Sequence, residues 1–178
     1  MNPSARELLT ERLRLRWLTE NDACLMLAIW NDPAFIRHVT DRGIRTEQAA
    51  LDAMRQGVLK LYSECGYGPY RLSLRSDGTD AGVCGLFKRD NLPNPDIGYA
   101  LLPAFCGQGY AVEAAHAVVA HASEVMELAK ISAIVSPEHT RSIALLKKLG
   151  MVREGTVRMP GEDDDILLYG LKLGQSGQ

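Results

Sequence analysis

Long apolar runs are missing from this 178-residue sequence, and none of its segments is long and apolar enough to predict a membrane-spanning helix. Residues 1–7 lack the apolar centre of a secretory signal peptide, and residues 174–178 carry no anchoring motif. We also find no internal repeat and no linker rich in Pro, Gly and Ser. We therefore expect one domain over residues 1–178, a cytoplasmic location and no membrane partner.

An excess of charge is also missing, since 20 basic and 22 acidic residues leave a formal net charge of −2. This balance gives no electrostatic support for a nucleic-acid partner, so we expect none. The local run Arg12, Arg14 and Arg16 alternates with Leu13 and Leu15. That alternation predicts a strand with one solvent-facing side.

Cysteine is scarce, with four residues at positions 24, 65, 84 and 106 and no pair at C-x-x-C spacing. No Cys/His cluster suggests zinc, so we expect reduced thiols and no metal. Cys106 differs from the others because it precedes a predicted helix, where the pKa of a thiol can fall. The His and Asn that would support a nucleophilic Cys106 are not evident.

The most informative stretch is a glycine turn at residues 103–114, between a predicted strand at 97–102 and an apolar-faced helix. Gly107 and Gly109 allow a tight turn that aims backbone N–H groups outward at a helix N-terminus. Such a turn predicts an anion site, most naturally for a phosphate. Two alternatives stay open, namely a plain tight turn and a dinucleotide-binding fingerprint. The second is disfavoured because Val112 stands where a third glycine is needed.

Periodicity and breakers predict the element order β-α-α-β-β-β-α-β-α-β-β. This order indicates an α/β (α+β) fold with a mixed, mostly antiparallel sheet rather than a doubly wound parallel sheet. The predicted strands cover about 10–18, 70–74, 83–87, 97–102, 131–135, 152–159 and 166–173. The predicted helices begin near residues 19, 46, 109 and 140.

The glycine turn resembles the cofactor loop of the GNAT superfamily of N-acetyltransferases, whose pattern is Arg or Gln, two residues, Gly, one residue, then Gly or Ala. The matching residues are Cys106, Gly107, Gln108, Gly109, Tyr110 and Ala111. Cys106 departs from the pattern. The resemblance implies that these backbone amides hold the pyrophosphate of acetyl-CoA. It also implies the GNAT fold, with about seven strands, four flanking helices, and a fourth and fifth strand (97–102 and 131–135) that splay apart.

A second signature covers residues 137–151 and is similar to the GNAT pattern of Asn, two residues, Ser or Ala, then a helix ending in Gly-Phe. Ser142 and Gly150 fit, whereas His139 replaces the Asn and Met151 replaces the Phe. Segments at 10–16, 30–33 and 167–169 resemble the RimJ/RimL-type branch, which acetylates N-terminal amines of ribosomal proteins. The likeness covers about residues 9–173.

The resemblance implies an acetyl-CoA-dependent N-acetyltransferase whose acceptor, a protein N-terminus or a small amine, attacks the thioester directly. A backbone N–H at Leu101 or Leu102 would meet the thioester oxygen. The tyrosine that many GNAT enzymes use as the acid is Leu146 here, so Ser142 becomes the candidate catalytic acid. The implied cofactor-binding residues are Leu101, Leu102, Cys106, Gly107, Gln108, Gly109, Tyr110, Ala111, His139 and Ser142. Dimers are common in the family, so a homodimer is possible.

The general base stays open. Glu138, His139 and Asp96 are each more typical of solvated or capping residues, and we expect His116 and His121 at the surface. The acidic loop at 162–165 could attract a cationic acceptor, although a solvated turn is the simpler explanation. Two other functions stay open: a non-catalytic acyl-CoA-binding module on the same fold, and a dinucleotide-dependent oxidoreductase.

Overall fold

Eight strands form one sheet in a computed structural model that describes residues 6–161 and 164–174. The spatial order is β1-β2-β3-β4-β5-β6-β8-β7. Every neighbouring pair is antiparallel except β5 and β6, which are parallel. The strands are β1 Glu7–Leu9, β2 Leu13–Trp17, β3 Pro69–Leu74, β4 Asp80–Phe87, β5 Asp96–Leu101, β6 Lys130–Val135, β7 Val152–Arg158 and β8 Asp165–Lys172.

Six α-helices occur among the described residues, together with one-turn 3-10 helices at Glu20–Asp22 and Pro103–Phe105. The α-helices are α1 Ala23–Trp30, α2 Pro33–His38, α3 Glu47–Gln56, α4 Val58–Cys65, α5 Tyr110–Glu124 and α6 Thr140–Lys148.

The predicted mixed, mostly antiparallel sheet is confirmed, but the predicted number of elements was too low. Strand β1 was not predicted, because three residues are too few to show a period. Helix α2 was not predicted, because a Pro after an Asn-Asp pair is as typical of a helix end as of a helix start. Asp32 in fact caps the new helix by accepting hydrogen bonds from Ala34 and Phe35. The predicted second helix is divided at Gly57 into α3 and α4. Residues 162 and 163 of the acidic loop lie outside the described residues.

Strands β5 and β6 separate almost at once, as expected for the predicted fourth and fifth strands. Their register contains one paired position, Asp96 opposite Ser132, where the Ser132 amide donates to the Pro95 carbonyl at 2.8 Å. Both strands run away from that point in the same direction. The result is a V-shaped gap that opens toward the glycine turn at the end of β5.

The core lies on both faces of the sheet. Leu13 and Leu15 are fully buried while Arg14 between them is exposed, which confirms the alternation predicted for β2. Ala114, Ala115, Val118 and Ala122 form the buried stripe of α5 against β4 and β5. Helices α1, α3 and α4 pack into a second buried cluster around Met54. Because α5 is anchored in this way, its first turn is held at the mouth of the gap.

Candidate active site

The glycine turn joins β5 to α5 by means of two left-handed residues. Gly107 has φ 79° and Gly109 has φ 85°, a region that residues with a side chain enter at a steric cost. Among the described residues, no carbonyl accepts a hydrogen bond from the backbone amides of residues 107–111. These amides stand at the N-terminus of a 15-residue helix and are exposed or half-buried. The turn can therefore bind an anion.

The Cys106 and Gln108 side chains contact backbone carbonyls and do not extend toward the anion-binding side of the turn. The Gln108 amide nitrogen folds back to donate to the Ala104 carbonyl at 2.8 Å. The exposed Cys106 thiol lies 3.7 Å from the Leu102 carbonyl. Any anion held here would therefore be bound mainly by backbone N–H groups.

The turn is tied instead to the start of β2. Arg12 donates through Nη1 to the Gln108 carbonyl at 2.9 Å and through Nε to Glu113 at 2.7 Å. Glu113 also accepts from the Thr10 hydroxyl at 2.6 Å. In the sequence, Arg12 shows only the alternation typical of a solvent-facing strand side. Its partners lie about 100 residues away in the chain, so no local pattern could reveal them.

Leu101, the last residue of β5, and Leu102 after it differ in the direction of their backbone amides. The Leu102 amide donates to the Ala81 carbonyl at 2.9 Å. In an antiparallel pair the amides of successive residues point to opposite sides of the strand. The Leu101 amide therefore points away from β4 and into the gap between β5 and β6.

Ser142 lies in the first turn of α6 and meets β5 across the gap. Its hydroxyl is 2.8 Å from the hydroxyl of Tyr99, which also lies 3.3 Å from the Ser142 carbonyl. Tyr99 is two residues before Leu101, so the two side chains share one face of β5. The half-buried Tyr99 and Ser142 thus place a hydroxyl pair on the face of β5 that also carries the Leu101 side chain.

Tyr99 was not among the predicted site residues. Burial raises the pKa of Tyr99 to about 12, and the hydrogen bond with Ser142 only partly offsets that rise. The phenol therefore stays protonated at neutral pH and can donate to Ser142. The period-two spacing to Leu101 was the available signal, but it did not indicate what Tyr99 would contact.

His139 caps α6, because its Nδ1 accepts a hydrogen bond from the Ser142 amide at 3.2 Å. Its ring packs edge-on against His38 of α2 at a centroid distance of 4.1 Å. Burial lowers the pKa of His139, and the nearby His38 and Arg141 charges lower it further. A neutral His139 thus orients Ser142 and connects α6 to the N-terminal helices.

The remaining candidate acids and bases differ in their burial and in their ion-pair partners. Asp96 is 1% exposed and pairs with Arg89 at 3.0 Å, so the expectation that Asp96 is solvated or capping was wrong. Burial raises its pKa, with Arg89 opposing the rise. Glu138 is exposed, as expected.

The two histidines of α5 have different environments. His116 is exposed, as predicted, but His121 is only 6% exposed, so its predicted surface position was wrong. The buried stripe of α5 is wider than the spacing of Val118 and Ala122 suggested. His121 follows Val118 by three positions, so it lies on the next turn of the same face. Leu146 is 1% exposed and belongs to the core.

The described residues contain neither a candidate metal cluster nor a candidate membrane-spanning helix. Residues 6–161 and 164–174 bring together no group of three or more His, Cys, Asp or Glu side chains that could bind a metal ion. No helix in the same ranges has the length and apolar character needed to cross a membrane.

Comparisons with known proteins agree with this fold. Residues 12–152 match the family described as the acetyltransferase (GNAT) domain. The uncharacterized N-acetyltransferase p20 of Bacillus licheniformis is 30% identical over 153 residues, which cover 85% of each chain. The chain therefore belongs to the GNAT acetyltransferase family. Within that family it is an N-acetyltransferase.

Solved structures share the whole fold. An acetyltransferase from Agrobacterium tumefaciens superposes with a TM-score of 0.79 at 25% identity and covers 96% of both chains. RimL, a ribosomal-protein alpha-N-acetyltransferase solved in complex with coenzyme A, has a TM-score of 0.80 at 17% identity. That match covers 95% of this chain and 98% of RimL. At this identity the second match shows a common fold.

Proposed function

We propose that this chain transfers the acetyl group of acetyl-CoA to a primary amine by direct attack of the amine on the thioester. The observation that carries the proposal is the V-shaped gap between β5 and β6, flanked by a turn of unpaired amides and by the Tyr99–Ser142 pair. This arrangement offers one cleft with three kinds of group: backbone amides that can bind an anion, the Leu101 N–H directed into the gap, and a hydroxyl that can donate a proton.

The donor half of the site would bind acetyl-CoA chiefly through backbone groups. The amides of residues 107–111 suit the pyrophosphate, because free N–H groups at a helix N-terminus favour negative charge. The Leu101 amide suits the thioester oxygen, where negative charge develops during attack. The Leu102 amide is already used by Ala81, so we assign Leu102 to the wall of the cleft.

The proton for the departing thiolate would come from the Ser142 hydroxyl, which would regain a proton as the attacking nitrogen loses one on forming the amide. If Tyr99 donates its proton to the Ser142 oxygen, the Ser142 hydroxyl proton is free to point into the gap. His139 fixes the same residue from the backbone side. Leu146 cannot replace Ser142, because it is buried and carries no proton to give.

The acceptor would be an amine that is partly neutral near pH 7. An α-amino group has a pKa of about 8 and is partly neutral at pH 7.4, whereas deprotonating a lysine amine of pKa about 10.4 at that pH costs about 4 kcal/mol. Asp96 is buried in an ion pair and Glu138 is exposed, so neither is set up as a strong base. We therefore favour a protein N-terminus or a small amine of low pKa. The fold shared with RimL agrees with a RimJ/RimL-type acceptor.

The second candidate is a non-catalytic acyl-CoA-binding module, favoured by the departures at Cys106, His139 and Leu146. The test incubates the protein with acetyl-CoA and a panel of N-terminal peptides, polyamines, amino acids and aminoglycosides, while released thiol is measured. Turnover that falls in Ser142→Ala, with coenzyme A affinity retained in calorimetry, supports the enzyme. Tight binding without turnover on any amine supports the module.

Four unpaired cysteines agree with a reducing, cytoplasmic location. A homodimer stays a proposal that sedimentation can test.

A further inference from the structure

The glycine turn rests on a polar cluster that the proposed reaction does not use. We call it the Arg12 clamp; it consists of Thr10, Arg12, Glu113 and the Gln108 carbonyl. Glu113 accepts hydrogen bonds from the Arg12 amide at 2.8 Å, from Arg12 Nε at 2.7 Å and from the Thr10 hydroxyl at 2.6 Å. Three protein donors therefore hydrogen-bond to the Glu113 carboxylate, whose side chain is only 18% exposed to solvent.

The clamp also sets the direction of a peptide group. Arg12 Nη1 holds the Gln108 carbonyl at 2.9 Å on the β2 side of the turn. In a planar trans peptide the carbonyl and the following N–H point in opposite directions. The Gly109 amide must therefore face away from Arg12, toward the side where an anion would bind.

Close packing supports this orientation. The Arg12 guanidinium lies 4.4 Å from the centroid of the Tyr110 ring. A Cβ atom on residue 109 would come within 3.3 Å of Arg12 Nη2, so the guanidinium lies directly against the turn. Arg12 is thus placed by stacking as well as by its hydrogen bonds.

Charge gives the clamp a second effect. Glu113 stands in the first turn of α5, where its negative charge opposes an anion bound at the same helix end. Burial raises the pKa of Glu113, but hydrogen bonds from Thr10 and Arg12 outweigh it and lower the pKa. The carboxylate is therefore ionised at neutral pH. Without Arg12, that charge would act directly on the bound anion.

We propose that Arg12 is a positioning residue for diphosphate recognition: it turns the Gly109 amide outward and neutralises Glu113. The inference rests on the proposed function, in that the anion is the pyrophosphate of acetyl-CoA. Arg12 would therefore hold the turn in its anion-binding conformation, because the Cys106 and Gln108 side chains turn back to nearby backbone carbonyls. Arg12 itself does not contact the reacting atoms.

The test compares two acetyl donors, acetyl-CoA and S-acetylpantetheine, of which only the first carries a pyrophosphate. In Arg12→Met, KM for acetyl-CoA should rise about 10- to 30-fold, while kcat at saturation stays within about three-fold. KM for S-acetylpantetheine should change less than about two-fold. The double variant Arg12→Met/Glu113→Gln should recover part of the lost affinity, because the unpaired negative charge is gone.

Arg14→Met is the matched control. Arg14 lies two residues after Arg12, on the same exposed side of the chain. It pairs with Glu7 of β1 at 2.7 Å instead of with the glycine turn. The KM of the Arg14→Met variant for each acetyl donor should equal that of the wild type. Arg12→Lys keeps the charge but loses the planar fork, so it should give an intermediate KM for acetyl-CoA. It supplies the same comparison if Arg12→Met is too unstable to assay.

Three outcomes would overturn the inference. One is an equal loss with both donors, which would indicate a general packing role. Another is unchanged coenzyme A affinity of Arg12→Met in calorimetry while the wild type binds, which removes this inference alone. The third is a wild-type protein that does not bind coenzyme A, which removes the proposed function and this inference together.

Discussion

Replacing Tyr99 by Phe removes one hydroxyl from the gap and tests whether Ser142 acts as the acid. The lost bond is a 2.8 Å contact between neutral, half-buried hydroxyls. Such a bond is worth about 0.5–1.5 kcal/mol, so kcat should fall about two- to thirteen-fold. Ser142→Ala removes the proposed general acid itself and should lower kcat by about 100-fold or more.

The double variant decides the relation between the two residues. If Tyr99 acts only by orienting Ser142, then Tyr99→Phe has nothing left to disturb once Ser142 is Ala. Tyr99→Phe/Ser142→Ala should therefore match Ser142→Ala within about two-fold. The assay is thiol release at saturating acetyl-CoA with the best amine of the panel.

Coenzyme A affinity and melting temperature are measured in parallel, to separate chemistry from binding and folding. Tyr169→Phe, a buried tyrosine on β8, is the control for general packing effects. Independent losses that multiply in the double variant would refute the reasoning, as would a Ser142→Ala variant with wild-type kcat.

Three further predictions concern stability and the base. Gly85→Ala should destabilise the fold by about 3 kcal/mol in urea melts, because the new Cβ would lie 2.4 Å from the Pro69 Cα; an unchanged midpoint would contradict this close packing. The pKa of His139 is lowered, so its contribution to stability is complete above its ordinary value of 6.5 and is lost as the pH falls through the folded-state pKa. His139→Asn keeps a capping side chain and should flatten the loss of melting temperature between pH 7.5 and 5.5; an identical slope would refute this role. Asp96→Asn should lower kcat less than about five-fold, because Arg89 already occupies the carboxylate, whereas a 100-fold loss would identify Asp96 as the base.

The order of elements was accessible from local patterns because strands and long helices repeat their apolar residues with fixed periods. The stripe of α5 and the alternation of β2 are examples. Short elements were less accessible. Strand β1 has three residues and α2 has six, so their formation depends on pairing with β2 and on the Asp32 cap. The division at Gly57 was likewise hidden within one continuous amphipathic run.

The glycine turn and its helix follow from the amino-acid sequence alone, since backbone freedom at Gly107 and Gly109 and the apolar stripe after them are local properties. The sequence also placed Ser142 at the start of a helix. The contacts that support these features are visible only in the folded chain. Arg12 meets Glu113 across 101 residues, and Tyr99 meets Ser142 across 43. Contacts between such distant residues depend on how the strands assemble, and no local period encodes them.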